Sequence, residues 1–584
     1  MKYHPVGVLT GRPTCNHSFD RRQLLMRWRR RQMQGGWLAR GIDYSRLLSV
    51  MQMHHKMPRG SLLLAALLLA AAAAAPAAAL TTSSLWGAAG EKWDPAGLLP
   101  DFSFAGYKQG NVDAPPTPAV TKNVTDFRKA SMDDTAMIKA AIKWANAQPA
   151  AAGWVVLALP RGRLTLKERV FITRSNLVLR GAGLGQTVLY VPKSLTGVYG
   201  PNPNNPKTGA YVYEGGFITI QGDLNFGNSL ARVKLTAKKG TKRVVVDTPA
   251  AIKVGEYYDL LWQDVDGKFN KLMYNNLMTP PSTYKGQTRV RFVTKVVAKA
   301  GNVITLERYL PYTIQGGINV VDFHQAKGAV RDSGVEGITF QFAWQLYAGH
   351  HLEKGWNAVY LTEASDCWVR NIGTVNADNV VLIYGSTGIT VSGVRMEVSK
   401  TRANNIPNRF NERADADGHW GVEFGHSFDI LVQGLDVRCS MMHDVGTDTS
   451  SKFSVVMDSK LKDGNLDLHR GLSGPTLYTN IDVGRGTNAL YSGGPSRSGA
   501  NAAAGTTWWF IQSDIAVDPS KSSYPAGSCD FGPVINLVGV NIKATEAKKM
   551  CKTWLYERSV DAPRNLYKSQ LARRRALAAA AQRG

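Results

Sequence analysis

From residue 175 onward the chain keeps returning to one phrase, a small polar turn followed by four to six β-branched or apolar residues. It begins at Ser175 (SNLVLRGAG), Ser333 (SGVEGITF), Ser365 (SDCWVRNI), Ser386 (STGITVSGVRM), Ser427 (SFDILVQGLDV), Ser451 (SKFSVVMDSKL) and Thr476 (TLYTNIDVG). Successive starts in the later members differ by 21, 41, 24 and 25 residues. Taking 41 as two coils gives a period of about 20–25 residues, the length of one coil of three short strands. A single unit of this size cannot bury its own apolar side chains, so neighbours must stack. The expected fold is all-β, a right-handed parallel β-helix of three-stranded coils. The uneven period predicts long insertions at one corner.

The rest of the chain is arranged around that core. Residues 1–56 form a basic leader, read as an over-extended gene model with translation starting at Met57. Residues 57–80 (MPRGSLLLAALLLAAAAAAPAAAL) have a basic start, an apolar run and small residues after Pro76, the layout of a secretory signal peptide; a signal anchor is the alternative. Residues 85–224 are assigned to the N-terminal cap and first coils. There Asp133-Asp134-Thr135 precedes a short amphipathic helix whose apolar face is Met137, Ile138, Ala141, Ile142 and Ala145. Such a helix can plug the open end of the first coil. Residues 225–320 alternate like antiparallel hairpins and read as a small β insertion. Residues 321–555 carry the main coils, and 556–584 read as a basic, disordered tail.

The formal net charge of +26 is uneven, because the first 60 residues hold twelve Lys/Arg against two Asp/Glu. The remaining basic surface suits a polyanion, either nucleic acid or a uronic-acid polysaccharide. The basic ends flank the leader and the tail and no recognition module is visible, so nucleic acid is disfavoured. Of five cysteines, Cys15 falls in the leader. Cys529 and Cys551 are the preferred disulfide, while Cys367 and Cys439 can equally be buried thiols. Asn123-Val-Thr is an N-glycosylation sequon, meaningful on a secreted chain.

Asp133, Asp134 and Thr135, then Leu159-Pro160-x-Gly162, then Ser175, Asn176, Arg180, Gly181 and Gly183 together resemble the opening of the pectate-lyase superfamily. The resemblance spans about residues 85–540 and implies the parallel β-helix and a polysaccharide partner. The superfamily holds lyases, hydrolases, epimerases and proteins of no known activity. The polygalacturonase motifs and the calcium-site and Arg-base pattern of standard pectate lyases are absent. The chemistry must therefore come from the residues themselves.

Polar groups concentrate between 411 and 497, including four of the eleven histidines, His419, His426, His443 and His469, while the other histidines scatter. His443-Asp444 and Asp467-Leu-His469-Arg470 lie 24–26 residues apart, about one coil. His443, Asp444, Asp467 and His469 are the candidate catalytic residues, as a His held by a carboxylate makes a general acid or base. His419, Arg470, Arg485, Arg497 and Trp508 are candidate substrate contacts, the arginines for a uronate carboxylate and Trp508 as a sugar platform. A mixed His/Asp metal site and Ca2+ both remain open. The expected protein is a secreted, monomeric, carbohydrate-active chain that cleaves a polysaccharide by β-elimination or hydrolysis. A polymer-level epimerase and a non-catalytic binding module remain as alternatives.

Overall fold

The structure is a computed structural model, and it describes residues 80–404, 413–519, 529–581 and 583. Its core is a parallel β-helix whose coils have three faces. One face is a seven-stranded parallel sheet: β1 (Val170–Ile172), β2 (Ile218–Gln221), β3 (Asn357–Thr362), β4 (Asn379–Tyr384), β5 (Gly418–Gly425), β6 (Met441–Thr447) and β7 (Leu466–Leu468), each paired with the next. A second, longer parallel sheet runs from Lys122–Asn123 through Gly334–Phe342, Trp368–Val375 and Thr390–Glu397 to Leu555–Glu557. The third face is thin, a column of single bridges through Ser365, Thr387, Phe428 and Lys452.

Strand pairing sets the core directly. Val359, Val381, Val422, Val445 and Leu466 are register partners, and all are fully buried. Adjacent coils sit about 4.8 Å apart, so each β-branched residue packs on its copy one coil away. α1 (Asp134–Asn146) caps the first coil as expected, with the Asp133 carboxylate accepting from the Ala136 N–H (2.9 Å) and the anticipated apolar face buried.

Three sequence expectations need correction or adjustment. β4 pairs directly with β5, and Thr387 bridges Phe428 directly. The 41-residue step is therefore one coil carrying a long loop, not two coils. The insertion is a six-stranded antiparallel sheet from Ala231 to His324, a few residues beyond the expected 225–320. The 556–584 segment is no loose tail. Leu566–Ala581 forms a helix, α2, that buries Leu566, Tyr567 and Gln570. Its own sequence gives little amphipathic signal, and tertiary contacts decide its fate.

Cys529 and Cys551 are joined in a disulfide, and Cys367 and Cys439 are buried thiols. Asn123 is exposed. The leader and the apolar segment, apart from Leu80, lie outside the described residues. Among the described residues no helix is long and apolar enough to cross a membrane.

Candidate functional site

The outer side of the seven-stranded sheet carries the densest polar cluster. Asn357, Asn379, Trp420 and His443 are register partners on β3 to β6. The Trp420 ring packs near-parallel to both His443 (4.6 Å between centroids) and its own neighbour His419 (4.3 Å). Consecutive residues on one side are foreign to a regular strand, where side chains alternate. Gly446 makes room for this stack, since a Cβ there would lie 2.2 Å from the Trp420 ring.

Loops at the corner before the sheet close over it. Residues 343–356 bring in His350, His351 and Glu353. The Asn357 and Asn379 amides donate to the Tyr211 carbonyl (3.0 Å each), which pins the segment that carries Tyr213. The long loop of the 41-residue coil supplies Arg402, whose guanidinium pairs with Asp378 (2.7 Å). Asp378 also accepts from the Gly355 and Trp356 N–H groups (3.2 Å each), so one buried pair ties the two loops together.

The electrostatics divide the cluster in two. In the inner part, His419 and Glu353 are fully buried, with His419 Nδ1 2.9 Å from Glu353 Oε1. Burial pushes the Glu353 carboxyl up to about 8, and the Tyr347 hydroxyl donates to it (2.6 Å). Burial first, then the neighbouring histidines, hold His419 well below the usual imidazole range. His443 Nδ1 meets Asn465 Oδ1 at 2.6 Å.

In the outer part, Glu423, Gly446 and Asp467 are register partners on β5, β6 and β7. Glu423 is 2% exposed and has no hydrogen-bond partner among the described residues. Burial, reinforced by the charges of Asp448 and Asp467, keeps its carboxyl well above the usual range. Asp467 is the opposite case. Burial works against its charge, but His443, His469 (3.1 Å) and the Gly493 N–H (2.7 Å) outweigh it and hold the carboxyl at about 2. Tyr213 lies beside Trp420 and His469, and its hydroxyl is held protonated by burial and by the surrounding carboxylates. Tyr384, exposed, leans on His426 (5.1 Å) at the rim.

The structure sorts the residues singled out from sequence. His419, His443, Asp467 and His469 converge on this side of the sheet. His443 lies beside Asn465 rather than beside Asp467, because the register sets Gly446 against Asp467. Asp444 points away from its neighbour; its carboxylate accepts the Asn465 N–H (2.7 Å) and is pushed up to about 7 by burial. Arg470 is buried and donates to the Gly494 (2.9 Å) and Gly499 carbonyls (2.5 Å), a structural role rather than a substrate contact. Arg485 and Arg497 are exposed on the loop after Thr476–Asp482. Trp508 is a core residue, fully buried and stacked on Tyr478 (5.4 Å), so it offers no platform to a sugar. Its neighbour Trp509 faces the other way and is equally covered. His350 and His351 do not scatter. They join the cluster from a loop that the strand period does not mark.

No protein-family model and no curated protein matches the chain by sequence. Solved structures that are similar include a tailspike of Acinetobacter baumannii bacteriophage AP22 in complex with capsular saccharide, with 9% identity, a TM-score of 0.38, and coverage of 72% of this chain and 57% of that one. A tailspike from Pseudomonas phage LKA1 has 12% identity, a TM-score of 0.40, and coverage of 69% and 64%. An alginate lyase from Paenibacillus has 10% identity, a TM-score of 0.35, and coverage of 76% and 100%. This chain spans less than two thirds of the length of either tailspike.

Proposed function

We propose that this protein is a carbohydrate-active enzyme that hydrolyses a polysaccharide along the outer side of the seven-stranded sheet, with Glu423 as the proton donor. One observation carries this reading. Glu423 is a buried carboxyl without a hydrogen-bond partner among the described residues, its proton favoured by its surroundings, on the same column as the ionised Asp467. Two carboxyl groups in opposed environments are the requirement for acid-assisted glycosidic cleavage. Glu423 gives its proton to the leaving oxygen. Asp467, oriented by His469 and the Gly493 N–H, supplies the partner carboxylate.

The two residues stand two strand spacings apart, about 9–10 Å between backbones. The Trp420 ring, packed over Gly446, lies between their positions on the column. Tyr384 at the rim is suited to stack on a sugar face. β-Elimination is less well supported. It needs a base and a cation for the uronate carboxylate, whereas the Tyr213 hydroxyl is held protonated and Arg470 is committed to backbone carbonyls. Export through the apolar segment 57–80 belongs to this reading, since the substrate is extracellular.

The test is incubation of the purified full chain with a panel of uronate and neutral polysaccharides. New reducing ends without unsaturated-uronate absorbance support hydrolysis, and NMR of the first anomer formed reports inversion or retention. Unsaturated products would replace this reading by a lyase, and binding without any cleavage would replace it by a binding module.

A further inference from the structure

On the outer side of the seven-stranded sheet, His350, His419 and Glu353, which acid-catalysed cleavage does not use, gather beside His443. One ring nitrogen from each of His350, His419 and His443 lies within 4.8 Å of the others, and all three residues are buried. The rings approach to 4.5 Å (His350 and His419), 5.5 Å (His419 and His443) and 5.9 Å (His350 and His443) between centroids. We propose that these three imidazoles bind a divalent transition metal of the zinc class.

The argument rests on donor type, geometry and unsatisfied atoms. Three imidazoles without a cysteine match the donor preference of Zn2+, Cu2+ or Ni2+ rather than that of Ca2+ or Mg2+, which take oxygen. If all three nitrogen separations equal the 4.8 Å limit, the centre is about 2.8 Å from each, so inward movement of under about 1 Å reaches a Zn–N bond of about 2.0–2.1 Å. One outer contact is of the kind that ligating histidines require. Asn465 Oδ1 takes the Nδ1 proton of His443 at 2.6 Å, which places the lone pair on Nε2. Glu353 Oε1 lies 2.9 Å from His419 Nδ1, an ion-pair contact beside that ring without hydrogen-bond geometry.

A second observation is independent of the triangle. Both ring nitrogens of His419 and the Glu353 Oε2 atom are buried and have no hydrogen-bond partner among the described residues. Buried polar atoms are almost always satisfied, and orphans concentrated at one point mark a missing ligand. The ligands come from three places, the 343–356 loop, β5 and β6. A bound metal would therefore fasten that loop to the outer side of the sheet. Three protein nitrogens leave a fourth position for water or for the orphan Glu353 oxygen.

The test uses the full chain. Metal content is measured by mass spectrometry on protein purified without chelator. Chelator-treated protein is then titrated with Co2+, whose visible spectrum reports coordination number. The expected result is one equivalent of metal per chain and a four-coordinate nitrogen-type spectrum. His419→Gln should abolish the spectrum, and Glu353→Gln should weaken Co2+ binding by about 10–100-fold. His324→Gln, on the insertion sheet, should leave binding unchanged. If His419→Gln fails to fold by circular dichroism, Glu353→Gln alone decides. Folded wild-type protein that takes up no Co2+, or equal Co2+ affinity in wild type and Glu353→Gln, overturns the proposal. Neither outcome touches the hydrolysis reading, which is scored by products.

Discussion

At Glu423 the local surroundings set both chemistry and stability. Replacing it by Gln keeps the shape and removes the proton donor. The expected loss in cleavage rate is about 10²–10⁴-fold with the fold intact, measured on whichever polysaccharide the wild type degrades. The stability effect has a definite sign. Burial raises the folded-state value, so the folded protein holds the proton more tightly than the unfolded chain. That contribution is fully present below the unfolded carboxyl value and is lost as pH rises through the folded one. Denaturation midpoints of wild type and Glu423→Gln should thus diverge in favour of Gln as pH rises above the unfolded carboxyl value of about 4. A constant gap across that rise would mean that folding does not raise the Glu423 carboxyl. Gly446 tests the packing beneath. Its backbone is free of left-handed strain, so Gly446→Ala acts only through the 2.2 Å approach of the new Cβ to Trp420. Displacing the Trp420 stack should cost about 1–3 kcal/mol in denaturant unfolding. Part of this site is readable in the sequence. Asp467-Leu-His469 alternates as a strand should, and the two side chains do meet. His350 and Glu353 are not readable, because they sit in an irregular loop whose placement depends on the Arg402–Asp378 pair, residues with no periodic signature.

Among the elements, the antiparallel insertion is the piece whose attachment is least visible beforehand. Its core includes Trp262, Phe269 and Tyr312, and it packs on Phe428 and Phe453 of the coils. The joint is sealed by Arg308, which grips Asp429 with two bonds (2.7 and 2.9 Å); the two side chains are 3% and 1% exposed. Removing one partner of such a pair strands a buried charge. Arg308→Met should therefore destabilise by about 3–5 kcal/mol. Adding Asp429→Asn should restore most of that, since Asn tolerates the left-handed backbone at 429 (φ 55°) and carries no charge. Thermal or denaturant unfolding of the two singles and the double measures the coupling. Nearly additive losses would show that the pair contributes little to docking. The hairpin alternation of this insertion is legible in residues 225–320, but its seat is not. The bridge column it packs on contributes single residues per coil, too short to register as strands. The same shortness hides the 41-residue coil, where only direct pairing of β4 with β5 shows that a loop, not a coil, intervenes.

For the whole molecule, the longer parallel sheet poses a coverage problem. Parallel sheets are mostly covered on both faces, and the helix interior covers one face of this sheet. The other is covered here by the segments around residues 86–105 and 560–567. Trp86, Leu99 and Phe102 from the N-terminal side and Val560, Leu566 and Tyr567 from the C-terminal side pack over Leu431, Val455, Leu477 and Trp509. α2 fastens the arrangement. Gln570 accepts from the Phe102 N–H and donates to the Pro100 carbonyl (2.9 Å each), and the Tyr567 hydroxyl donates to the Ala105 carbonyl (2.9 Å). The Arg-rich composition that reads as a loose tail is what makes this dock, since Arg574 reaches the Gln109 carbonyl (2.8 Å) and lies 3.8 Å from the Phe104 ring. Tyr567→Ala removes a buried ring and its hydrogen bond and should cost about 3–5 kcal/mol. Deleting residues 566–584 goes further. It uncovers the apolar outer side of the sheet and frees the 86–110 segment, whose partners lie on α2. Limited proteolysis should then cut within 86–110 while the coils resist, and an apolar dye should bind the truncated chain but not the intact one. A truncated chain that stays protease-resistant and dye-silent would show that the N-terminal segment holds the face by itself.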